Sequence, residues 1–312
     1  MGSVASPLLG HLDMALTNFA KGFRQNELVS DIIFPRVPVG RQTDKYWIHG
    51  REGQQLTEKT LRAPGAPARS TRLTLSSDSF FCDSHALKAE IAFEAQSAYS
   101  LVGDLRQDAT QDLISKILLD KEVAIQTMVT DTAQVTNNTT LAGAAQWSDP
   151  QSDPLGDVET ARQKIMLAGV MPNVMIITPP ILQALKNHPE IRDAFKYTTP
   201  GSIGIPQLAS FFLIDRVLLA AAVQLDKANA ASFVWGKDAV VAYVSPASGN
   251  RDISFGKTFV WGGAPGTVDG FGTVVAPHPD PTAKSEIVGV DFYYAKKITA
   301  VETGYLIKSA VA

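Results

Sequence analysis

The 312-residue chain has one cysteine, Cys82, and no long apolar run. A single thiol cannot form a disulfide within the chain or supply a cysteine-based zinc cluster, so we expect Cys82 to be a small buried apolar residue. The longest apolar run, from Val217 to Val223, is far shorter than the ~20 residues of a membrane-spanning helix. No basic leader precedes an apolar run near the N-terminus. We therefore expect a soluble protein made in a cytoplasm, without a secretory signal.

Charge of either sign is also scarce. Lys and Arg total 28 and Asp and Glu total 31, so the net charge is −3 and the charged fraction is 19%. Nothing in this balance predicts a basic patch for nucleic acid. Because an average globular protein has about a quarter charged residues, the low fraction suggests that neighbouring subunits cover part of the surface.

Motifs for catalysis and cofactor binding are missing as well. The chain has no Gly-x-Ser-x-Gly nucleophile elbow, and its glycines between residues 263 and 272 match neither a P-loop nor a dinucleotide fingerprint. No two of the five histidines have the i, i+4 spacing of a helical metal site. His278, between two prolines, is expected on a surface loop. We predict no catalytic residue and no cofactor.

Asp149, Asp153 and Asp157 recur every four residues and raise the question of a calcium or magnesium site. Prolines at 150 and 154 disturb helical stacking there, and the alternating ligand pattern of a calcium loop is absent. We interpret the three aspartates as turn-formers and caps, with Asp157 capping a helix at 158–168. The sequence therefore predicts no metal site.

The most regular segment is the stretch from Asp104 to Asp131, which no proline or glycine interrupts. Two apolar stripes follow a 3.6-residue period along it. The first contains Leu105, Ala109, Leu113, Ile117, Ala124 and Met128, and the second contains Ile114, Leu118, Ile125 and Val129. This pattern predicts one long helix, which we call the spine helix.

The region before the spine helix reads as an amphipathic helix from Ser6, an extended arm at 32–39 and a strand at 45–48. The arm could extend to a neighbouring subunit, or it could be an ordinary N-terminal strand of its own chain. A return strand is predicted at 69–75. Between the two strands lies a long basic loop containing His49, Arg51, Lys59 and Arg62, and loops of that length in compact proteins usually have a function.

The region after the spine helix alternates short elements and ends in a β-rich part. Predicted helices are 181–187 and 191–195. Predicted strands are 174–178, 208–219, 232–243, 254–261, 285–294, 297–301 and 304–308, with a glycine-rich turn at 262–272. The fold class is therefore α+β.

Several segments resemble, in order, the major capsid proteins of tailed bacteriophages with the HK97-type fold. They are Asp31–Val39, Gln146–Asp157, His188–Asp193, Val234–Lys237, Ser254–Phe259 and Gly304–Lys308. The resemblance covers nearly the whole chain. It implies an N-terminal arm (1–45), an extended loop (46–85), a peripheral domain (86–160 and 252–312) built on the spine helix, and an axial domain (161–251).

The resemblance also implies a structural function: self-assembly as pentamers and hexamers into an icosahedral phage head that encloses double-stranded DNA. The arm and extended loop would then contact adjacent subunits. Candidate contact residues are Phe34, Pro35, Arg51, Lys59, Arg62 and Arg69. Lys59 is also placed like the lysine that some relatives cross-link to a neighbour's asparagine, but no partner asparagine can be chosen.

Other partners implied are a separate scaffolding protein, portal and decoration proteins, and packaged DNA held without specific sites. The expected location is the virion, assembled in the host bacterial cytoplasm, with no membrane contact. Two alternatives remain at this stage. One is an encapsulin-type compartment on the same fold, and the other is an α+β hydrolase using Asp149, Asp153 and His278.

Overall fold

The fold was obtained as a computed structural model. It describes residues 28–48, 76–99, 105–196, 203–225, 229–247, 249–264 and 271–312, with short pieces between residues 60 and 70. The helix predicted from Ser6 and most of the basic loop lie outside these residues.

The described elements alternate along the chain as the α+β class predicts. The helices are α1 (Ser30–Ile33), α2 (Phe93–Tyr99), α3 (Leu105–Val129), α4 (Pro154–Met166), α5 (Pro179–Asn187), α6 (Pro189–Phe195) and α7 (Ile205–Phe212). The strands are β1 (Arg36–Val39), β2 (Thr43–Ile48), β3 (Ser76–Phe81), β4 (Asp83–Ala92), β5 (Asn138–Thr140), β6 (Val174–Ile177), β7 (Arg216–Leu219), β8 (Val223–Leu225), β9 (Ala231–Phe233), β10 (Ala239–Ala242), β11 (Gly256–Trp261), β12 (Phe271–Asp280), β13 (Ser285–Ile298) and β14 (Gly304–Lys308). Two short 3₁₀ turns lie at Gly143–Ala145 and Val301–Thr303.

The first sheet has the order β1-β11-β13-β12, and β4 pairs with the long central strand β13 as well. Its pairs are antiparallel except for β1, which runs parallel to β11 with Arg36 opposite Thr258. The first part of α3 packs on this sheet, since Leu113 and Ile117 are buried against the valines of β12 and β13. This packing confirms the long helix predicted at 104–131.

The second sheet has the order β5-β14-β10-β6-β7. Helices α4, α5 and α7 cover one face, and the end of α3, through Ile125 and Val129, helps to cover the other. Because both faces are buried, β6 and β10 are continuous apolar runs rather than alternating ones. The C-terminal strand Gly304–Lys308 lies inside this sheet, between β5 and β10.

The arm differs from the extended segment predicted at 32–39. Ser30–Ile33 is a helical turn, and only Arg36–Val39 is extended. The turn forms because Ile33 and the adjacent Phe34 can then bury their side chains completely in the protein's own core. For β1, the alternative of a plain strand within the chain's own sheet is confirmed.

The strand predicted at 45–48 is confirmed. The return strand predicted at 69–75 lies outside the described residues except for residue 70, and the partner that the structure shows for β2 comes later in the chain. Strand β2 pairs antiparallel with β3, so that Thr43 is opposite Phe81 and Ile48 is opposite Ser76. Serine-rich sequence gave β3 no apolar alternation, whereas the alternation of Leu73 and Leu75 favoured the earlier segment.

The strand predicted at 208–219 is wrong in its first half, where α7 extends to Phe212. Gly204 and Pro206 begin a helix here, and the side chain of Gln207 accepts a hydrogen bond from the Gly204 N–H at 3.1 Å. Leu208 and Phe212, four residues apart, are then both buried against the second sheet. Apolar residues on one helical face were mistaken for a buried strand.

In the late β-region, β12 was not predicted, and the two strands predicted at 285–294 and 297–301 form one strand. His278 lies exposed on β12 rather than on a loop, next to an irregularity in pairing between Val275 and His278. Its flanking prolines are tolerated because β12 is at the end of the strand order, where missing N–H donors cost little. Strand β13 continues to Ile298 without a break, and Val301–Thr303 is a 3₁₀ turn.

Helix α4, the next α-helix after α3, begins earlier than predicted. Asp153, not Asp157, is its N-cap, because the Asp153 carboxylate accepts a hydrogen bond from the Gly156 N–H at 2.7 Å and Pro154 fits the first turn. Within the described part of the chain, no helix is both long and apolar enough to cross a bilayer.

Candidate functional site: the arm junction and the loop base

A buried carboxylate on α3 joins three separate parts of the chain. Glu122 is fully buried and accepts hydrogen bonds from the backbone N–H of Val29 at 3.2 Å and of Ser30 at 2.8 Å. It also accepts one from the indole Nε1 of Trp235, just before β10, at 2.7 Å. The first two donors lie at the N-terminal end of α1, in the arm, and the third lies between β9 and β10. We call this contact region the arm junction, and it fixes the position of α1 against α3.

An ion-pair network on the same helix extends the junction. Lys121 has 1% of its side chain exposed and forms an ion pair with Asp31 of α1. Arg36 at the start of β1 donates from Nε to the same carboxylate at 3.2 Å. Although burial by itself would raise the pKa of Asp31, the charges of Lys121 and Arg36 lower it to about 2. Burial lowers the pKa of Lys121, and Asp31 opposes that shift.

The sequence analysis missed Lys121 and Glu122, although a signal for them was present. The second apolar stripe passes through Leu118 and Ile125, and helical spacing places residues 121 and 122 between them on the same face. Two charged residues on a predicted buried stripe indicate a paired, internal polar site, since an unpaired buried charge is too costly.

A second contact region, which we call the loop base, holds the β2–β3 hairpin against β13. The hydroxyl of Tyr46 donates to Asp78 Oδ2 at 3.0 Å, and Lys297 Nζ lies 3.7 Å from the same oxygen. Burial, with the adjacent Asp78 carboxylate, raises the pKa of Tyr46 to about 12. The side chains of Asp78 and Lys297 are 50% and 38% exposed, so this site is open to solvent.

Apolar contacts lie beneath these polar ones. Phe80 stacks on Phe259 of β11 with ring centroids 4.3 Å apart, and Tyr46 packs against the same ring. The thiol of Cys82 is buried beside the Phe259 carbonyl at 3.6 Å, and burial raises its pKa to about 11. Cys82 is thus the small buried apolar residue that was predicted.

Strand alternation leaves the other side of this hairpin uncovered. Tyr46 and Phe80 point to the core, whereas Trp47 and Phe81 are 38% and 54% exposed. Lys45 and Ser79 lie on the same solvent side, because side chains alternate along each strand. This outer face of the hairpin therefore combines two large aromatic residues with polar neighbours.

Of the residues predicted as intersubunit contacts, three can be placed. Phe34 is fully buried, with its ring 6.0 Å from that of Phe255, so its contacts are within the chain. Pro35 is partly buried, and its carbonyl accepts from the Thr258 N–H at 3.0 Å. Arg62 is exposed. The remaining three, Arg51, Lys59 and Arg69, lie outside the described residues.

The residues of the hydrolase alternative are not brought together. Asp149 accepts from the Gln151 N–H at 2.8 Å as a turn-former, and Asp153 caps α4. Asp157 accepts from the Trp147 indole at 2.8 Å, whereas His278 is on β12 of the other sheet. No cluster of three or more His, Cys, Asp or Glu with metal-site geometry occurs among the residues described.

Sequence comparisons identify relatives over most of the chain. A family model described as phage major capsid protein E matches residues 109–303. The major capsid protein of Burkholderia phage BcepMu is 29% identical over 254 residues, which are 77% of this chain and 78% of that protein. The major capsid protein of Pseudomonas phage JBD67 is 24% identical over 318 residues, covering 96% of this chain and 97% of the relative.

Structural comparisons agree. A phage-related protein from Bordetella bronchiseptica aligns with a TM-score of 0.78 at 28% identity, over 96% of this chain and 98% of that one. The capsid structure of cyanophage P-SCSP1u aligns at 0.60 with 7% identity, over 93% and 90%. An encapsulin complex from Synechococcus elongatus aligns at 0.52 with 10% identity, over 95% of each chain. The last two show the fold alone.

The matched region contains most of α3 and all of the strands from β5 to β13, so it includes most of the spine helix and parts of both sheets. The solved neighbours confirm the HK97-type α+β fold that the resemblance implied. The chain therefore belongs to the phage major capsid protein E family, as a structural component of the virion rather than an enzyme.

Proposed function

We propose that this chain assembles with copies of itself, as pentamers and hexamers, into the icosahedral head of a tailed phage that encloses double-stranded DNA. The observation that carries the proposal is the outer face of the β2–β3 hairpin, where Trp47 and Phe81 are exposed although they flank a well-packed inner face. A two-stranded hairpin alone covers little of its own apolar surface, so a neighbouring subunit is the natural cover.

The division into domains is part of the same proposal, with one adjustment. We keep the arm at 1–45, the extended loop at 46–85 and the axial domain at 161–251, with the rest peripheral. The hydrogen bonds of β14 within the second sheet favour adding Gly304–Lys308 to the axial domain. The peripheral domain then contains β11–β13, which pair with β1 of the arm and with β4.

We also propose the partners that a phage head requires. Pro35 and the basic residues Arg51, Lys59, Arg62 and Arg69 would contact neighbouring subunits, as would Phe34 if the arm opened to expose it. A separate scaffolding protein, a portal and decoration proteins would complete the head in the host cytoplasm. DNA would be held without specific sites, consistent with the net charge of −3.

The encapsulin alternative has weaker support. The encapsulin likeness is at the level of fold, with 10% identity, whereas the relatives that are 24–29% identical are phage proteins. A cargo enzyme inside purified shells would favour the encapsulin alternative, and DNA-filled heads from infected cells would exclude it.

The test is electron microscopy of the purified protein with and without residues 50–69. We expect closed shells from the full chain and a folded, unassembled subunit from the deletion. A full chain that stays a monomer or dimer under every assembly condition would contradict the shell. Closed shells from the deletion variant would contradict the intersubunit role of the loop while leaving the shell in place.

A further inference from the structure

Within residues 161–251, which we assign to the axial domain, the described structure exposes large apolar side chains in two groups. The group beside the start of β6 and β7, which we call the entry patch, contains Leu167, Met171 and Leu213. The group on the β8–β9 hairpin, which we call the hairpin patch, contains Val223, Leu225 and Phe233. Each of the six is at least 36% exposed. Single exposed apolar residues are ordinary, whereas groups of them mark interaction surfaces.

The hairpin patch reverses the usual placement of apolar and polar side chains. Strands β8 and β9 are antiparallel, with Val223 opposite Phe233 and Leu225 opposite Ala231. Because opposite residues and alternate residues share a face, these four apolar side chains lie on one side of the hairpin. That side is exposed, whereas the polar Gln224 on the other side is partly covered. A two-stranded hairpin with its apolar side outward indicates a cover that the single chain does not supply.

The entry patch is brought together by the parallel pairing of β6 and β7. Val174 is opposite Arg216, and Met171 and Leu213 each come three residues before these positions, so both lie at the same end of the sheet. Leu167 directly follows α4, four residues before Met171. Leu213 ends α7 with a φ of 51°, in the left-handed region that favours glycine. A leucine held in this conformation with its side chain exposed suggests a function for that side chain.

The two patches lie at opposite ends of β7, the last strand in the order of the second sheet. The entry patch precedes Arg216, the first residue of β7. The pairing of β7 continues beyond its end, because the Ala220 N–H donates to the Ile177 carbonyl at 2.8 Å, and the hairpin follows. The length of β7 alone separates the patches by roughly 13 Å. One molecule therefore presents two different apolar surfaces that point to different neighbours.

The sequence around both patches is poor in charge. No charged residue lies between Lys164 and Lys186, or between Arg216 and Asp226. DNA is an unsuitable occupant, because binding its phosphates requires Lys or Arg at the contact. Depletion of charge is typical of the buried centre of a protein interface. Each patch therefore fits an uncharged apolar partner, and the other patch on a second copy is one.

The symmetry of a ring requires two such surfaces. A contact between identical surfaces is two-fold and closes after two subunits, so each subunit of a pentamer needs two different, complementary surfaces. We propose that, in each ring of five or six copies, the hairpin patch of one copy packs on the entry patch of the next. This inference rests on the proposed pentamers and hexamers and deepens that proposal, since it names the surfaces that join neighbours within a ring. Both patches exchange solvent for apolar contact.

Cross-linking in assembled shells with a short bismaleimide tests the contact. Met171→Cys is combined with Leu225→Cys, and the native Cys82 is buried and shielded. We expect a ladder of linked products that ends at five and six subunits. Each single variant should give no ladder, and a mixture of the two single variants should stop at dimers. The matched control combines Leu225→Cys with Asp112→Cys, a 60% exposed position on α3, and should give roughly tenfold less linked product.

The outcomes separate the inference from the function on which it rests. Shells that yield no more linked product than the control pair would overturn the ring contact and leave the shell standing, as would ladders from a single variant or ladders that continue past six. An unchanged chain that forms no shells would overturn both. Should the double variant not assemble, peroxide oxidation of Met171 in the unchanged chain replaces it. We expect oxidation in shells to be roughly tenfold slower than in dissociated subunits, and equal rates would overturn the contact.

Discussion

The arm junction and the loop base each attach an outlying segment to the body of the protein, but by opposite means. At the arm junction the key carboxylate, Glu122, is fully buried and accepts three hydrogen bonds. At the loop base the key carboxylate, Asp78, has a side chain that is 50% exposed. The polar contacts of the first attachment are costly to break, whereas those of the second are readily loosened.

This difference bears on how the arm and the β2–β3 hairpin would be held in the proposed shell. A buried, fully satisfied polar network specifies one geometry, so we expect α1 to have the same position against α3 in every subunit. Polar contacts that face water contribute little and adjust at low cost, so at the loop base the buried rings of Tyr46, Phe80 and Phe259 do most to hold the hairpin. In the proposed shell, the solvent-facing contacts at the loop base are therefore the ones that we expect to vary between subunits, whereas the arm junction should not.

The largest effect is expected from Glu122→Ala. It leaves two backbone N–H groups and the Trp235 indole buried without an acceptor, so we expect a loss of about 3–5 kcal/mol in the free energy of unfolding. Urea unfolding of the unassembled subunit measures this loss. The matched control is Asp112→Ala on the same helix, where the side chain is 60% exposed and a change within about 0.5 kcal/mol is expected. If Glu122→Ala and Asp112→Ala lowered the free energy of unfolding equally, the buried carboxylate would matter no more than an exposed one.

Gly256→Ala probes the apolar side of the arm's attachment. A Cβ atom at position 256 would lie 2.5 Å from the ring of Phe34, which is fully buried and cannot turn away. We expect a loss of about 1–3 kcal/mol by overpacking, seen in the same urea experiment. Gly40→Ala is the control, since nothing lies within 4 Å of its added atom. If Gly256→Ala left the free energy of unfolding unchanged, Phe34 and its neighbours would have to move freely to make room for the added methyl group.

The arm junction should weaken in acid. The pKa of Asp31 is about 2 in the folded protein and 3.8 ordinarily, so its stabilising effect is present above about pH 4 and is lost as the pH falls towards 2. We expect Asp31→Asn to cost about 1 kcal/mol at neutral pH, since more than a third of the carboxylate side chain faces solvent. The difference from wild type should shrink between pH 4 and pH 2. A difference that stays constant over this interval would argue against the ion pair.

The sequence predicted those elements whose apolar residues follow a clear pattern along the chain. The spine helix could be predicted because its stripes at Leu113, Ile117 and Ile125 persist over several turns, and β6 because four apolar residues stand between turn signals. It could not predict β3 or β12, because a strand rich in serine or interrupted by proline has no apolar alternation. Their strand structure comes from pairing with β2 and β13, which are distant in sequence.

The candidate site was harder to predict than the fold. Lys121 and Glu122 were visible as charges on an apolar stripe, but their partners Asp31 and Trp235 lie about 90 and 113 residues away in sequence. Only the fold brings these groups together. Phe34 was predicted as an intersubunit contact from its place in the arm, whereas its ring packs beneath Gly256. Sequence position in an arm therefore says little about which side of it is free.

The smallest effect on stability is expected at the loop base in alkaline solution. The pKa of Tyr46 is raised from 10.0 to about 12, so its hydrogen bond to Asp78 stabilises the fold below pH 10 and is lost as the pH rises towards 12. Tyr46→Phe should cost only about 0.5–1 kcal/mol at neutral pH, and its difference from wild type should shrink between pH 10 and pH 12. Tyr243→Phe, at the end of β10 in the second sheet, is the matched control. If Tyr46→Phe cost as much as Glu122→Ala, the polar contacts of the loop base would hold the fold as firmly as those of the arm junction, and the contrast between the two regions would be wrong.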